Sequence, residues 1–303
     1  MLKIICLLAI ILDFAFSKDS QNPQILSPQQ IEENTAQNQN NKNGDYEFPI
    51  YEDRDLLNSL IERFSIYDET YLLPMYYSIN ELSPPLGTTS KYSRFEAKLQ
   101  VSFKTLVTRD MFAGIGFYFA YTQTTFFQVY SPQLSSPFRD NDFTPELILY
   151  RTFYVDSPIP SVYNLRLGYS HTSNGEGIDE FGLNKSRGID KVFLELVYNI
   201  ENFTAALRTW IFARFDPIDI RDYIGYSSLK LKYDLFNTHH FILSIGNLFH
   251  DYSKYKGNVR FEYRYDLFDK IGIYAQYFYG YNDNIYEYNI KSQHIGIGIA
   301  IAH

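Results

Sequence analysis

Near the C-terminus the chain reads Ile295-Gly296-Ile297-Gly298-Ile299-Ala300-Ile301-Ala302, with isoleucine at every second position. Because successive side chains of a β-strand point to opposite faces of the sheet, such a strand carries isoleucines on one face and only small residues on the other. The same period of two runs through 95–104 and 115–122, and it recurs from Tyr71 to the end of the chain. This pattern predicts a protein built from β-strands.

The alternation favours a membrane barrel over a soluble fold. Segments of about ten residues with one apolar row and one polar or small row are typical of transmembrane β-barrels. A soluble β-sandwich also alternates, but its apolar rows need a second sheet to cover them. No stretch after the first twenty residues is apolar enough for a transmembrane helix. We predict an all-β, antiparallel transmembrane barrel of about twelve strands, placed at 71–79, 92–105, 111–124, 143–154, 159–173, 189–199, 202–213, 222–235, 238–249, 256–267, 270–281 and 291–303.

The connections between these strands predict the orientation of the barrel. Those at 106–110, 200–201 and 236–237 are short, whereas most of the alternate connections are longer. Outer-membrane barrels have short periplasmic turns and long external loops. With a periplasmic N-terminus, the strand at 159–173 therefore ends at the external rim and the strand at 189–199 begins beside it.

The composition agrees with this class and excludes others. The chain has 303 residues, including 28 Tyr and 25 Phe, and aromatic side chains are enriched in β-strands and at membrane interfaces. The net charge of -8 and the lack of a Lys/Arg cluster argue against nucleic-acid binding. The single cysteine, Cys6, lies in the first twenty residues, which excludes thiol catalysis and cysteine-ligated metal sites in a processed protein.

The N-terminal region predicts export from the cytoplasm. Residues 1–17 are typical of a secretory signal peptide, with Lys3, an apolar run over 4–12 and the residues Ala15-Phe16-Ser17 at the expected cleavage site. That run is too short for a transmembrane helix, and Asp13 argues against the alternative of a retained anchor. The segment 18–55 begins with a Gln- and Asn-rich stretch and is predicted to be a disordered lead-in. The barrel domain then covers 56–303, beginning with a short amphipathic helix at 56–64.

Three polar side chains interrupt otherwise apolar faces where two successive strands meet. His171 and Ser173 follow Tyr169 on one face, and Asp190 opens the apolar face of the next strand. If these strands pair, a hydroxyl, an imidazole and a carboxylate meet on the lipid-facing surface, which is the combination of nucleophile, base and orienting group. Polar groups are costly on such a face, which favours a catalytic role. The pattern alone leaves open the alternative that His171 and Ser173 are ordinary interfacial residues.

Two blocks of sequence stand out along the chain. The first block is Gly168-Tyr169-Ser170-His171-Thr172-Ser173-Asn174-Gly175 followed by Ser186-Arg187-Gly188-Ile189-Asp190-Lys191. The second comprises Tyr121-Thr122-Gln123, Phe127-Gln128, Ser135-Ser136-Pro137-Phe138-Arg139 and Pro145-Glu146-Leu147. Both blocks resemble the outer membrane phospholipase A family, and the resemblance extends over 70–303. In that family, asparagine usually stands where this chain has Asp190.

The resemblance implies roles for the residues of the first block. Ser173 would be the nucleophile, His171 the general base, and Gly175 a donor of a backbone N–H to the oxyanion. The third member of the triad would be Asp190 or, because the loop is longer than is usual in the family, Asn184. Asp190 is the stronger candidate, because its place in the alternation matches that of His171 whereas Asn184 lies in mid-loop.

The resemblance also implies a calcium cofactor and a homodimer. Ser186 and the backbone carbonyl of Glu176 would bind Ca²⁺ from one subunit and Ser135 from the other, although these serines could simply belong to polar loops. Gln123 lies on the outward row of its strand and would contact the second subunit. Its alternative role is that of an interfacial residue near the lipid headgroups.

Taken together, these features predict a calcium-dependent phospholipase of the bacterial outer membrane that hydrolyses phospholipid esters at the external leaflet. A non-catalytic porin-like barrel and a surface adhesin are the alternatives. The inward-facing charged residues are expected to form a hydrogen-bonded interior rather than a second active site; they are Glu96, Lys98, Arg166, Lys191 and Glu195.

Overall fold

The predicted strands are present in the computed structural model, which describes residues 64–82, 92–131, 138–155, 160–178, 182, 184–248 and 256–302. The predicted signal peptide, the lead-in and most of the predicted helix lie outside these residues, as does Ser135. The last residue of that predicted helix, Phe64, belongs to a strand instead. Within the described residues no helix is both long and apolar enough to span a membrane.

The described residues form thirteen strands and one short helix. Strands β2 to β13 pair antiparallel in a closed ring, because β13 pairs with β2 and β3 with β4. This confirms the twelve-stranded barrel, to which β1 adds a short strand that pairs with β3 next to β2. The strands are β1 (Phe64–Ile66), β2 (Tyr71–Ser78), β3 (Phe95–Phe112), β4 (Ile115–Phe127), β5 (Phe138–Val155), β6 (Ser161–Ser173), β7 (Gly188–Ile200), β8 (Phe203–Asp216), β9 (Ser227–Leu235), β10 (His239–Gly246), β11 (Asn258–Phe268), β12 (Ile271–Gly280) and β13 (Ser292–Ile301), and helix α1 (Ile220–Ile224) lies between β8 and β9.

Several predicted boundaries are wrong, and β5 for example begins at Phe138 instead of residue 143. Residues 106–110 were expected to connect two strands, but β3 continues to Phe112 and the turn lies at Ala113 and Gly114, with φ of 53° and 74°. A two-residue hairpin of type I′ needs positive φ at both central positions, which this pair supplies. The strand expected from residue 222 begins only at Ser227, because α1 and Gly225, with φ of 69°, occupy the preceding positions.

The alternation of isoleucine with small residues in β13 separates an apolar exterior from a packed interior. Ile295, Ile297 and Ile299 are each at least half exposed on the outer face. On the inner face, a Cβ atom added to Gly296 would lie 2.7 Å from the ring of Tyr76, a fully buried side chain. The small residues of β13 therefore leave room for large side chains inside the barrel.

Ion pairs fill much of the barrel interior, as predicted. Arg166 and Arg208 both bind Glu195, at 2.7 and 2.8 Å, while Lys98 lies 2.9 Å from Asp283. These charges face one another because the inner rows of a closed barrel converge. A cavity of about 550 Å³ remains beside them, partly lined by Lys191, Glu195 and Arg208. Lys191 lies over the ring of Trp210, with its Nζ atom 4.9 Å from the ring centroid.

The connection between β12 and β13, residues 281–291, folds back into the barrel at the end where β6 stops; we call it the inner segment. Ile285 and Tyr288 of this segment are buried. The backbone N–H groups of Ile285 and Tyr286 donate to the carboxylates of Asp142 and Asp140. The inner segment therefore lies inside the barrel, behind the loop that follows β6.

Candidate active site

The pairing of β6 with β7 brings the three predicted triad residues together. His171 lies directly opposite Asp190 in the ladder, and Ser173 lies opposite Gly188. Because directly opposite residues of an antiparallel pair project from the same face, the imidazole and the carboxylate are neighbours. Ser173 lies two residues beyond His171 on the same strand and therefore shares that face.

Hydrogen bonds link the three side chains in sequence. His171 Nδ1 lies 2.5 Å from Asp190 Oδ1, and His171 Nε2 lies 3.1 Å from Ser173 Oγ. When the carboxylate accepts the Nδ1 proton, Nε2 carries a lone pair and can accept the proton of the serine hydroxyl. This is the order of contacts needed to activate a serine nucleophile.

The three side chains lie on the outer, apolar face of the barrel. Leu167 and Tyr169, on the same face of β6, are 51% and 39% exposed, whereas the intervening Ser170 is only 1% exposed. The outward position predicted for the triad is therefore the one that the structure shows.

Asn174, to which the sequence analysis gave no role, closes the loop beyond the triad. Its buried side chain accepts a hydrogen bond from the N–H of Arg187 at 3.0 Å and donates one to the carbonyl of Lys185 at 3.0 Å. These bonds hold the two ends of the loop 174–187 together next to Ser173. The run Ser173-Asn174-Gly175 is the sequence signal that could have predicted this role, because a polar residue at the end of a strand often orders the turn that follows.

Gly175 follows Asn174 in a conformation that disfavours other residues. Its φ is 68°, and an added Cβ atom would lie 3.2 Å from the ring of Phe143. Both constraints favour glycine at this position, two residues after Ser173. Phe143 is the cross-strand neighbour of Ser173 on one side and of Gln123 on the other.

Arg187 joins the loop to the inner segment. Its guanidinium donates to the carbonyl of Ser186 at 2.8 Å and stacks over the ring of Tyr286, with 5.2 Å between its Cζ atom and the ring centroid. Burial raises the pKa of the Tyr286 hydroxyl, against the opposing effect of the Arg187 charge. The loop is thus braced at its base by Asn174 and from inside the barrel by Tyr286.

The two candidates for the third triad position have different hydrogen-bond partners in the structure. Asp190 contacts His171, whereas the Asn184 side chain accepts a hydrogen bond from the N–H of Ser186 at 3.0 Å within the loop. Asn184 is exposed and pairs with Ile178 in an isolated bridge. Its side chain is therefore engaged in ordering the loop.

The residues predicted to bind calcium offer oxygen donors only. Glu176 and Ser186 lie on the braced loop and supply a carbonyl and a hydroxyl, while Ser135 is outside the described residues. Calcium accepts such neutral oxygen ligands, so the donor set fits this ion. Among the described residues no group of three or more His, Cys, Asp or Glu could hold a metal.

Gln123 lies on the outer face of β4, as predicted, and already has partners within the chain. Its Oε1 atom accepts a hydrogen bond from the Tyr121 hydroxyl at 3.0 Å, and its Nε2 atom donates to Thr125 Oγ1 at 3.3 Å. The three residues form an outward polar stripe two strands away from Ser173. Only Phe143 of β5 stands between Gln123 and Ser173 across the ladder.

Comparison with known sequences identifies similar proteins over the whole barrel. A sequence model of the phospholipase A1 family matches residues 51–301. A relative from Neisseria meningitidis serogroup B, named as a candidate phospholipase A1, is 30% identical over 251 residues, which cover 77% of this chain and 64% of that protein. Phospholipase A1 from Salmonella typhimurium is 26% identical over 243 residues, covering 78% of this chain and 80% of that protein.

Comparison with solved structures supports the same architecture. Outer membrane phospholipase A from Escherichia coli matches with a TM-score of 0.69 and 22% identity, over 78% of this chain and 98% of that one. The Salmonella typhi outer membrane phospholipase, described as a dimer with bound calcium, matches with the same score and identity over 91% of its chain. These matches show that the chain has the same barrel fold as both proteins.

Proposed function

This chain belongs to the phospholipase A1 family, and on that premise we propose that it is a calcium-dependent outer-membrane phospholipase that hydrolyses acyl esters of phospholipids in the outer leaflet. The observation that carries the proposal is the hydrogen-bonded series from Ser173 through His171 to Asp190 on the outer face of the barrel. A phospholipid in the membrane meets this face without leaving the bilayer.

In the proposed mechanism, Ser173 Oγ attacks the ester carbonyl carbon while His171 Nε2 accepts its proton. Asp190 holds the imidazole by Nδ1 and stabilises the imidazolium that forms. The tetrahedral intermediate collapses to an acyl-serine, and the imidazolium returns its proton to the departing lysophospholipid alkoxide. Water, activated by the same imidazole, then releases the fatty acid.

The negative charge that develops on the carbonyl oxygen needs a donor close to Ser173. The backbone N–H of Gly175 serves this purpose in the proposal, because this residue lies in the turn only two residues beyond the nucleophile. Preorganised donors of this kind contribute strongly to acyl transfer, since they need no reorganisation when the charge forms. The hydrogen bonds of Asn174 and the stacking of Arg187 on Tyr286 keep this turn in place.

Calcium is held in this proposal by the carbonyl of Glu176 and the hydroxyl of Ser186, with Ser135 supplied by a second copy of the chain. When bound, it supplies positive charge near the oxyanion. The Salmonella typhi protein, described as a dimer with bound calcium, supports both the ion and the dimer. Gln123 contacts the second copy, and its polar stripe lies close enough to Ser173 for dimerisation to influence the site.

The proposal is tested by measuring fatty-acid release from phospholipid in detergent micelles. Release is expected with calcium, and it is expected to fall to background with a calcium chelator or in Ser173→Ala. Ser170→Ala is the matched control, because Ser170 lies on the same strand but faces the interior. Equal release under all of these conditions would exclude the proposed enzyme, and no release by the wild-type barrel would favour a non-catalytic one.

A further inference from the structure

An arginine that the mechanism does not use lies beside the triad on the outer face. Arg214 of β8 stands directly opposite Asp190 of β7 in the ladder, and its side chain is exposed. Because neighbouring strands are about 4.8 Å apart, β8 lies about 10 Å from β6 and Ser173. Arg214, Asp190 and His171 thus form one row across three adjacent strands.

A β-bulge puts Arg214 on this face. Phe193 and Lys191 face the interior and lie opposite Trp210 and Phe212, so an unbroken ladder would also turn residue 214 inward. The register shifts between Asp190 and Lys191, and Ala213 is the extra residue on β8. The shift reverses the alternation and turns Arg214 outward. Bulges commonly re-aim a side chain next to an active site.

No described residue forms an ion pair or hydrogen bond with Arg214, although the Asp190 carboxylate lies on the neighbouring strand. The Arg214 charge also acts electrostatically on the Tyr169 hydroxyl. It is also the one cation on the outward faces of β6, β7 and β8. A cation on a lipid-facing wall is costly unless its long side chain reaches an anionic or aqueous partner.

We propose that Arg214 binds the phosphate of the phospholipid whose acyl ester is presented to Ser173. The inference rests on the proposed function and adds a residue that distinguishes phosphate-bearing lipids from neutral esters. A guanidinium binds phosphate through paired hydrogen bonds. Because the short glycerol backbone joins the phosphate to the ester, a phosphate held over β8 brings the ester toward β6, where fixed geometry favours attack.

The position of Asp190 gives a second reason for a cation here. A carboxylate on the outer face repels a phosphate that approaches the site. Arg214, on the side of Asp190 away from His171, supplies the opposite charge where the headgroup would lie. The carboxylate remains free to hold His171, because its Oδ1 atom bonds to Nδ1 and not to the arginine.

The test compares Arg214→Gln with wild type on two substrates that share an acyl chain. One is a phospholipid in neutral detergent micelles, and the other is the p-nitrophenyl ester of the same fatty acid, which carries no phosphate. We expect kcat/KM for the phospholipid to fall about tenfold, mainly through KM, and kcat/KM for the neutral ester to change less than twofold. Arg214→Lys should retain part of the preference.

Arg221→Gln is the matched control, since Arg221 is an exposed cation of α1 at the same end of the barrel. It should change neither substrate's kinetics. Equal loss on both substrates in Arg214→Gln would show that Arg214 acts on the triad rather than on phosphate, and no loss on either would also overturn the inference. A wild type that cleaves neither substrate would instead contradict the proposed function itself.

Discussion

His171 and Asp190 face each other across the ladder between β6 and β7, with 2.5 Å between Nδ1 and Oδ1. Asp190→Ala removes the acceptor for the Nδ1 proton, so kcat should fall roughly 10²- to 10⁴-fold. Asp190→Asn can present its amide oxygen to the same proton, and we expect it to stay within about tenfold of wild type. Steady-state kinetics on one phospholipid measures both variants. Full activity in Asp190→Ala would remove this residue from the triad.

Gly175 should not tolerate a side chain. Gly175→Ala adds a Cβ atom at positive φ and 3.2 Å from the ring of Phe143. The turn must shift, and if its N–H is the oxyanion donor, kcat should drop about 10²- to 10³-fold with little change in KM. Gly177→Ala is the control, because an added Cβ atom there meets nothing within 4 Å. Similar kinetics for the two variants would contradict the assigned donor.

Asn174 is expected to control calcium binding through the shape of the loop. Asn174→Ala leaves the N–H of Arg187 and the carbonyl of Lys185 without their partner, at a cost of about 1–3 kcal/mol. If Ser186 and Glu176 bind calcium, the concentration needed for half-maximal activity should rise roughly tenfold. Asn184→Ala should have a smaller effect, since water can replace its exposed side chain. An unchanged calcium titration in Asn174→Ala would exclude this coupling.

Gln123 should contribute to self-association. Gln123→Ala removes an outward polar group, and polar contacts within membranes contribute about 0.6–2 kcal/mol. The dissociation constant of the dimer should therefore rise about 3- to 30-fold. Sedimentation in detergent with calcium measures this change. Gln293→Ala is the control, because Gln293 also lies on an outer face and bonds to a tyrosine hydroxyl; the same loss in both variants would argue against a specific contact at Gln123.

Much of the site follows from local alternation along the strands. The period of two places His171 and Ser173 on one face and Ser170 on the other, whatever the rest of the fold does. The outward isoleucines of β13 and the inward charges Arg166 and Glu195 follow from the same rule. The sequence was therefore enough to predict the barrel and the residues of each strand that face outward. Both depend on the alternation within one strand and on whether each of its faces meets an apolar or a polar environment.

Other features depend on how strands pair, and local periodicity carries no information about pairing. Whether Asp190 or Asn184 approaches His171 depends on the register that the loop 174–187 permits, since a slip of one residue would turn Asp190 inward. The hydrogen bonds of Asn174 that hold this loop in place also depend on the tertiary structure.

The sequence by itself determined the strands, their apolar faces and the residue types available for catalysis. Only the tertiary structure decided that His171 meets Asp190, that residues 281–291 fill the barrel behind them and that a bulge at Ala213 turns Arg214 outward. The physical reason is that side-chain direction within a strand is set by its own backbone, whereas register and bulges are set by hydrogen bonds between strands when the barrel closes.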